Sequence, residues 1–243
     1  MIDKSSPLPI YYQLEELIKK KIEIGELQPN DILPSEREYS EYYQISRMTV
    51  RQAFTNLVND GYLYRRKGKG TFVAEKKFEQ ELIGLTSFTE EMKKRGLTPS
   101  SKMLHFELIP ATKKMASMLK IKENEPVYEI IRIRLADKEP MAFETLYMSA
   151  NLVKGLTAEI ASHSLYEYIE EKSGLKMAHA SQTIESSIAT DAEAQHLNIP
   201  KGSPILLFHR HSYLENNTPI EVAKSSYRAD RYKFSIHIKR QKD

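Results

Sequence analysis

The chain has 243 residues, 40% hydrophobic and 28% charged, with a net charge of +3, an ordinary globular profile with room for two domains. Its lack of cysteine excludes a disulfide framework, a cysteine–zinc site and a cysteine nucleophile. No run reaches the roughly 18 apolar residues of a membrane span and the start, MIDKSSPLPIYYQ, has no charged-then-apolar signal pattern, so no membrane contact and a cytoplasmic location are expected.

Residues 1–7 carry no periodic pattern and are expected to be loose. A first helix begins with Pro9 at its first position and runs to about Glu23. Its apolar face is Ile10, Leu14, Leu17, Ile18 and Ile22, and Gly25 and Pro29 end it. A second helix starts after Ser35, which forms an S-x-x-E capping box with Glu38. Ser46 caps a third. On it Val50, Ala53, Phe54, Leu57 and Val58 make one apolar stripe, while Arg47, Thr49, Arg51, Gln52 and Asn56 occupy the other face. Gly61 ends this helix. Tyr62–Arg66, a flexible tip from Lys67 to Gly70, and Thr71–Val73 then read as a hairpin.

Two helices followed by a β-ribbon describe a winged helix-turn-helix. An Arg-bearing polar helix face can present donors to base edges in the major groove. Glycines at a wing tip let backbone approach a minor groove, and lysines there attract phosphate. The first 76 residues hold 12 Lys+Arg against 11 Asp+Glu. A DNA reading therefore rests on local placement, and the small basic footprint favours two copies acting together.

The motifs LPSER (Leu33–Arg37), SR-x-TVRQA (Ser46–Ala53), GxL (Gly61–Leu63) and G-x-GTFV (Gly68–Val73) resemble the DNA-binding domain of the GntR family of bacterial transcription regulators. The resemblance implies a palindromic operator bound by a homodimer. It implies base contact by Arg37 and Arg47 and minor-groove contact by the stretch Gly68 to Gly70. Ser35, Ser46, Thr49, Arg51, Gln52, Lys67 and Lys69 complete the expected DNA-binding set. One departure is Gln44, where relatives often carry glycine in the turn.

Residues 75–84 are polar, without an apolar face, and are expected to be a linker between a domain at 1–74 and another at 85–243. A short helix opens near Thr86–Met92 and closes at Gly96. An internal repeat follows. The stretches starting at Ala111 and at Ala189 each read Ala-Thr, short helix, turn, Pro, strand, loop, Pro, strand. Pro126 matches Pro204 and Arg132 matches Arg210, while Pro140 matches Pro219 after one extra loop residue. One such unit is too small to stand alone. Two would pair into one antiparallel sheet with helices on one face, an α+β domain whose hairpins could line a pocket.

This region resembles the UTRA effector-binding domain of the HutC subfamily, a chorismate lyase-like fold. The matching pieces are Thr86–Thr89, Arg132–Arg134, Pro140–Glu144, Ser164–Tyr166 and Tyr227–Tyr232. The resemblance implies no resident cofactor but a phosphorylated amino sugar as effector, glucosamine 6-phosphate or N-acetylglucosamine 6-phosphate, acting on a repressor of amino-sugar uptake and catabolism. It selects Phe88, Thr89, Arg132, Ile133, Arg134, Glu144, Ser164, Leu165, Tyr166, Glu221 and Tyr227. The residue types suit such a ligand, with arginines and hydroxyls for phosphate and carboxylates for sugar hydroxyls and nitrogen.

Three other readings stay open at this level. Arg132 and Arg134, at i and i+2, could form a solvated strand face. Glu144 could be an exposed cross-strand partner. The effector could be another sugar phosphate or a small organic acid. Chorismate lyase is an enzyme, but no catalytic set stands out here: there is no nucleophile–base–orienter group and no metal motif, and His209 and His211 alternate as ordinary strand residues.

Overall fold

A computed structural model describes residues 2–75 and 77–240. Met1, Lys76 and residues 241–243 lie outside them, and with them one position of the expected linker and both outer ends of the expected domains. The chain forms two compact units, residues 1–78 and 79–243, and the dividing line falls inside the expected linker.

In the first unit α1 spans Ile10–Glu23, α2 Glu36–Tyr43 and α3 Arg47–Asn59. Pro9 takes the cap position of α1 rather than its first helical position. Ser35 and Glu38 close the capping box on α2, and Ser46 caps α3 by accepting from the Thr49 amide. Leu14, Ile18, Leu33, Val50, Phe54 and Leu57 pack into one core. The wing is β1 (Leu63–Arg66) paired with β2 (Gly70–Val73). Gly70 belongs to β2, opposite Arg66, and the tip is shorter than expected. The segment before α2 braces the wing through Leu33 N to Thr71 O at 2.8 Å and Val73 N to Asp31 O at 2.9 Å.

Within the stretch expected to be loose, residues 3 and 4 are tied to the rest of the unit. Gln13 on α1 accepts from Asp3 N at 2.8 Å and donates to Asp3 O and Leu8 O, and the Lys4 ammonium donates to Gln44 O at 2.9 Å.

β3 (Phe78–Glu81), which begins at the dividing line, pairs with β10 (Tyr232–Ser235) of the second unit, so part of the expected linker is a strand. The remaining elements are α4 (Phe88–Lys94), β4 (Pro99–Pro110), α5 (Lys113–Leu119), β5 (Pro126–Ala136), β6 (Glu139–Ser149), α6 (Ala158–Ala161), α7 (Leu165–Glu167), β7 (Met177–Ile188), α8 (Asp191–Leu197), β8 (Pro204–Leu214) and β9 (Pro219–Arg228). A π-helical turn, Tyr168–Lys172, continues α7.

Six strands form one antiparallel sheet in the order β4-β5-β6-β9-β8-β7. That order is palindromic about the β6–β9 pair, as the repeat requires, and each repeat unit gains an outer strand, β4 or β7, that the sequence pattern did not reveal. Ala111 N to Glu125 O and Ala189 N to Ser203 O close the two helix turns in the same way, at 2.8 and 2.9 Å. The expectation of helices on one face is corrected. α5 and α8 cover one face, packing on Val127, Tyr147 and Val222 and on Ile205 and Phe143. Leu156, Ala161, Leu165 and Ile169 cover the other, against Ile130, Leu146 and Met148. Strand alternation sends successive side chains to opposite faces, and both faces of the central strands are apolar enough to need a lid.

Candidate functional site

In the second unit a ring of polar side chains interrupts the apolar face beneath the 156–169 segment. Position 132 of β5 stands opposite position 144 of β6, and alternation brings Arg134 and Glu144 to the same face as Arg132. Across the β6–β9 seam the same face carries Glu221, Ala223, Ser225 and Tyr227, and β8 adds Phe208 and Arg210. The N-terminal ends of α4 and α7 supply Ser87, Phe88 and Thr89, and Ser164, Leu165 and Tyr166. These groups enclose a cavity of about 40 Å³, room for about one water molecule.

Arg132 and Arg134 are 5% and 3% exposed, which rules out a solvated strand face. Arg132 forms a fork with Glu144, Nε to Oε1 at 2.7 Å and Nη2 to Oε1 at 2.6 Å, so Glu144 is a buried partner and not an exposed one. Its Nη1 also donates to the carbonyls of Ala161 and His163. Arg134 lies over the Phe88 ring at 4.7 Å and donates to Thr89 Oγ1 at 2.9 Å. Its Nε is buried without a hydrogen-bond partner among the described residues.

Arg210 donates to Gln182 Oε1 at 2.7 Å and reaches Thr86 O at 3.3 Å and the Tyr166 hydroxyl at 3.5 Å. Ser212 donates to Glu221 Oε1 at 3.0 Å.

Burial dominates the electrostatics, and neighbouring charges decide each outcome. Burial, then the charge of Arg132, pulls Arg134 below the usual arginine range. Burial pushes Glu144 up, but Arg132 and Arg134 outweigh it and hold the carboxyl low. Glu221 has no such fork. Burial and repulsion from Glu144 raise it. Burial also opposes the charge of Arg210, yet Tyr166, Tyr227 and Glu221 around it keep its pKa high. Three guanidinium groups therefore face one firmly ionised carboxylate and one pushed toward its neutral form. The cavity carries an excess of positive charge, which favours an anion.

Of the residues expected from sequence, Phe88, Thr89, Arg132, Arg134, Glu144, Ser164, Leu165, Tyr166, Glu221 and Tyr227 all line this cavity. Ile133 does not. Its register partner is Phe143, which packs under α8, so its side chain points to the opposite face. Sequence reading missed Ser87, Gln182, Phe208, Arg210, Ala223 and Ser225. Two signals would have found some of them: the repeat pairs Arg210 with Arg132, and a period of two from Glu221 reaches Ala223, Ser225 and Tyr227.

The expected DNA-binding residues lie apart, all in the first unit. Arg47 and Gln52 are exposed on α3, Thr49 is half-buried beside the Ser46 cap, and Ser35 and Arg37 open α2. Arg37 pairs with Glu41 at 2.8 Å, and Arg51 with Glu36 at 2.9 Å, on the surface. At the wing tip Lys67, Gly68 and Lys69 are exposed, and a Cβ on Gly68 would meet nothing within 4 Å. Gly70 is tighter: its φ of 120° favours glycine, and a Cβ there would come within 3.2 Å of the Ile32 side chain, which would have to shift slightly. Arg66 stacks over Tyr64 and Phe72 at 5.3 Å.

A winged helix in one unit and a buried, cation-lined cavity in the other define a DNA-binding regulator with a ligand domain. Residues 10–73 match the model of the bacterial regulatory proteins of the gntR family, and residues 94–233 match the UTRA domain. The HTH-type transcriptional repressor NagR of Bacillus subtilis (strain 168) is 49% identical over 239 residues, covering 98% of each chain. The mannosyl-D-glycerate transport/metabolism system repressor MngR of Escherichia coli (strain K12) is 33% identical over 233 residues, covering 96% of this chain and 97% of that one. The crystal structure of PhnF from Mycobacterium smegmatis superposes with a TM-score of 0.67 at 29% identity, covering 95% of this chain and 99% of that one. The chain belongs to the GntR family of DNA-binding transcription regulators, with a UTRA domain. Its relatives are regulators, not enzymes. Among the described residues no helix is long and apolar enough to cross a membrane.

Proposed function

We propose that the chain is a homodimeric repressor whose winged helices read the two halves of a palindromic operator, and that a phosphorylated amino sugar releases it. One observation carries the effector class: the buried arginine pair, whose Arg134 Nε has no partner, in a cavity with excess positive charge. Arginine forks suit phosphate oxygens, and Thr89, Ser164 and Tyr166 add hydroxyls. Glu144 and Glu221 face the cavity as acceptors for the sugar's hydroxyls and nitrogen. At the first unit, Arg47 and the wing tip are the exposed donors for base and phosphate.

The cavity is smaller than a sugar, so binding requires it to open. The groups in the way are the carbonyls of Ala161 and His163, which now occupy the arginine donors. A phosphate that takes those donors frees the 161–163 segment. The ligand then favours the open state over the closed one, and only such differential binding can shift the protein off DNA. Two copies are required because operator symmetry mirrors dimer symmetry.

Calorimetry with glucosamine 6-phosphate, N-acetylglucosamine 6-phosphate and unphosphorylated N-acetylglucosamine tests the reading, alongside an operator gel shift. Saturable heat with a phosphosugar alone, and release of bound operator by the same compound, is the expected result. Protein that binds DNA but none of the three sugars would have another effector.

A further inference from the structure

The internal repeat sets two arginines in matching places and gives them different neighbours. Arg132 on β5 stands directly opposite Glu144 on β6. Its repeat mate, Arg210 on β8, stands directly opposite Ala223 on β9. Positions 144 and 223 are mates too, each four residues after its matched proline, Pro140 or Pro219. Side chains directly opposite on antiparallel strands have Cβ atoms about 4.5–5.5 Å apart. The first half of the domain therefore builds a fork of guanidinium on carboxylate. The second half puts a methyl group where that carboxylate would be.

The result is a guanidinium with donors to spare. Among the described residues Arg210 forms no ion pair. Its Nε donates to Gln182 Oε1 at 2.7 Å, its Nη1 makes only the two long contacts to Thr86 O and the Tyr166 hydroxyl, and its Nη2 makes none. Arg210 and Ala223 both line the inner cavity. So does Phe208, two residues before Arg210 on the same face of β8. Glu221, two residues before Ala223 on β9, is pushed toward its neutral form, which makes it a poor partner for a cation. A free donor beside the apolar surface of Ala223 and Phe208 matches an acetamide, whose carbonyl accepts and whose methyl is apolar. An ammonium in the same place meets like charge.

Resting on the phosphosugar reading above, we infer that Arg210 is the specificity-determining residue for the sugar's nitrogen substituent, taking the carbonyl of an N-acetyl group and disfavouring a free amine. The phosphate stays with Arg132 and Arg134. The acetyl oxygen fills, opposite Arg210, the place that Glu144 fills opposite Arg132. The methyl lies on Ala223 and Phe208. The alanine at 223 is what keeps the arginine available.

Calorimetry on the full-length protein near neutral pH, where an amine is mostly protonated, compares N-acetylglucosamine 6-phosphate with glucosamine 6-phosphate. Wild type is expected to prefer the N-acetyl compound by about tenfold or more, the worth of a hydrogen bond to a charged group. Arg210→Met should weaken the N-acetyl compound and leave the amine equal or tighter, so that the preference is lost. Ala223→Glu supplies the missing carboxylate from the other strand. It should engage Arg210, hold or raise the melting temperature, and remove the preference as well. Thermal melts check both variants, and either one that folds decides the matter. Equal weakening of the two sugars in a folded variant would make Arg210 a structural residue only, and overturns the inference. So does a wild-type preference for the amine, or an N-acetyl preference that survives the substitutions. In each of those cases wild type still binds a phosphosugar and the reading above stands. Binding of neither compound by wild type overturns both.

Discussion

The two units use arginine in opposite ways. In the winged helix, Arg37 and Arg51 are 68% and 58% exposed at the side chain and pair with exposed or half-exposed glutamates. Such pairs are screened and worth roughly 0–1 kcal/mol, so they exchange readily for a phosphate or a base edge. In the UTRA domain, Arg132 and Glu144 are 6% and 11% exposed at the side chain, and backbone carbonyls finish the coordination. The first set is free to meet a partner that arrives from solvent. The second set is part of the fold, and a ligand reaches it only by replacing a bond that the protein already makes. A DNA reader therefore needs its donors on the surface, while a ligand switch gains by having its donors already engaged.

Arg132→Ala puts the greatest strain on this contrast. It strands Glu144 as a buried charge without its fork, which costs about 3–5 kcal/mol, and it removes one of the two arginines proposed to hold the effector's phosphate. Denaturant unfolding should show that loss in the UTRA domain, and calorimetry should show no phosphosugar heat. Near-wild-type stability would mean that Glu144 finds a new partner or a proton, and that the fork does not hold the fold together.

Arg47→Ala is the counterpart on the exposed side. Arg47 is exposed at the start of α3, so stability should not change. Operator affinity should fall by roughly 1–3 kcal/mol, with specificity relaxed at one base pair. Binding measured across a set of operator variants separates this from a uniform loss, which would make Arg47 a phosphate contact only.

Glu221 sharpens the electrostatic half. Its pKa is raised above the ordinary 4.5 by burial and by Glu144. A phosphate monoester, mostly dianionic above its second pKa of about 6, adds negative charge beside it and favours its protonated form still more. The affinity should therefore fall as pH rises through the range where Glu221 ionises, by at most about tenfold per pH unit, or roughly 1.4 kcal/mol. Glu221→Gln should flatten that slope. Calorimetry in buffers of different ionisation enthalpy should register more proton uptake in wild type than in the variant. Equal uptake in both would assign the proton elsewhere.

What the sequence could show follows from the range of each interaction. A capping box joins residues three apart, and the one expected at Ser35 is formed as its spacing demands. The repeat located the paired strands because proline and arginine recur at fixed offsets. Arg210 was not recognised as a cavity residue because its partner Gln182 sits 28 residues away on β7, a strand without a clean apolar alternation. The second lid of helices was equally hidden, since α6 and α7 have only 4 and 3 residues, too few to show a period. Cavity size was not legible at all, because it depends on how Arg132 and Arg134 meet backbone carbonyls more than 25 residues away.

The smallest test concerns one backbone angle, in the region whose chemistry is otherwise all on the surface. Gln44 ends α2 with φ 52° and ψ 49°, a left-handed conformation. Side chains other than glycine pay roughly 1–2 kcal/mol there. Its carbonyl accepts from the Lys4 ammonium at 2.9 Å, a bond to backbone that any residue at this position keeps. Gln44→Gly should therefore relieve the strain without losing the contact, less a small entropic cost to the unfolded glycine. The winged-helix unfolding midpoint should rise by an amount equivalent to about 1 kcal/mol, with operator affinity unchanged. A fall in stability would show that the Gln44 side chain contributes more than the angle costs. The turn between the two helices would then be held by side-chain contacts, as the arginine cavity is, rather than by backbone geometry.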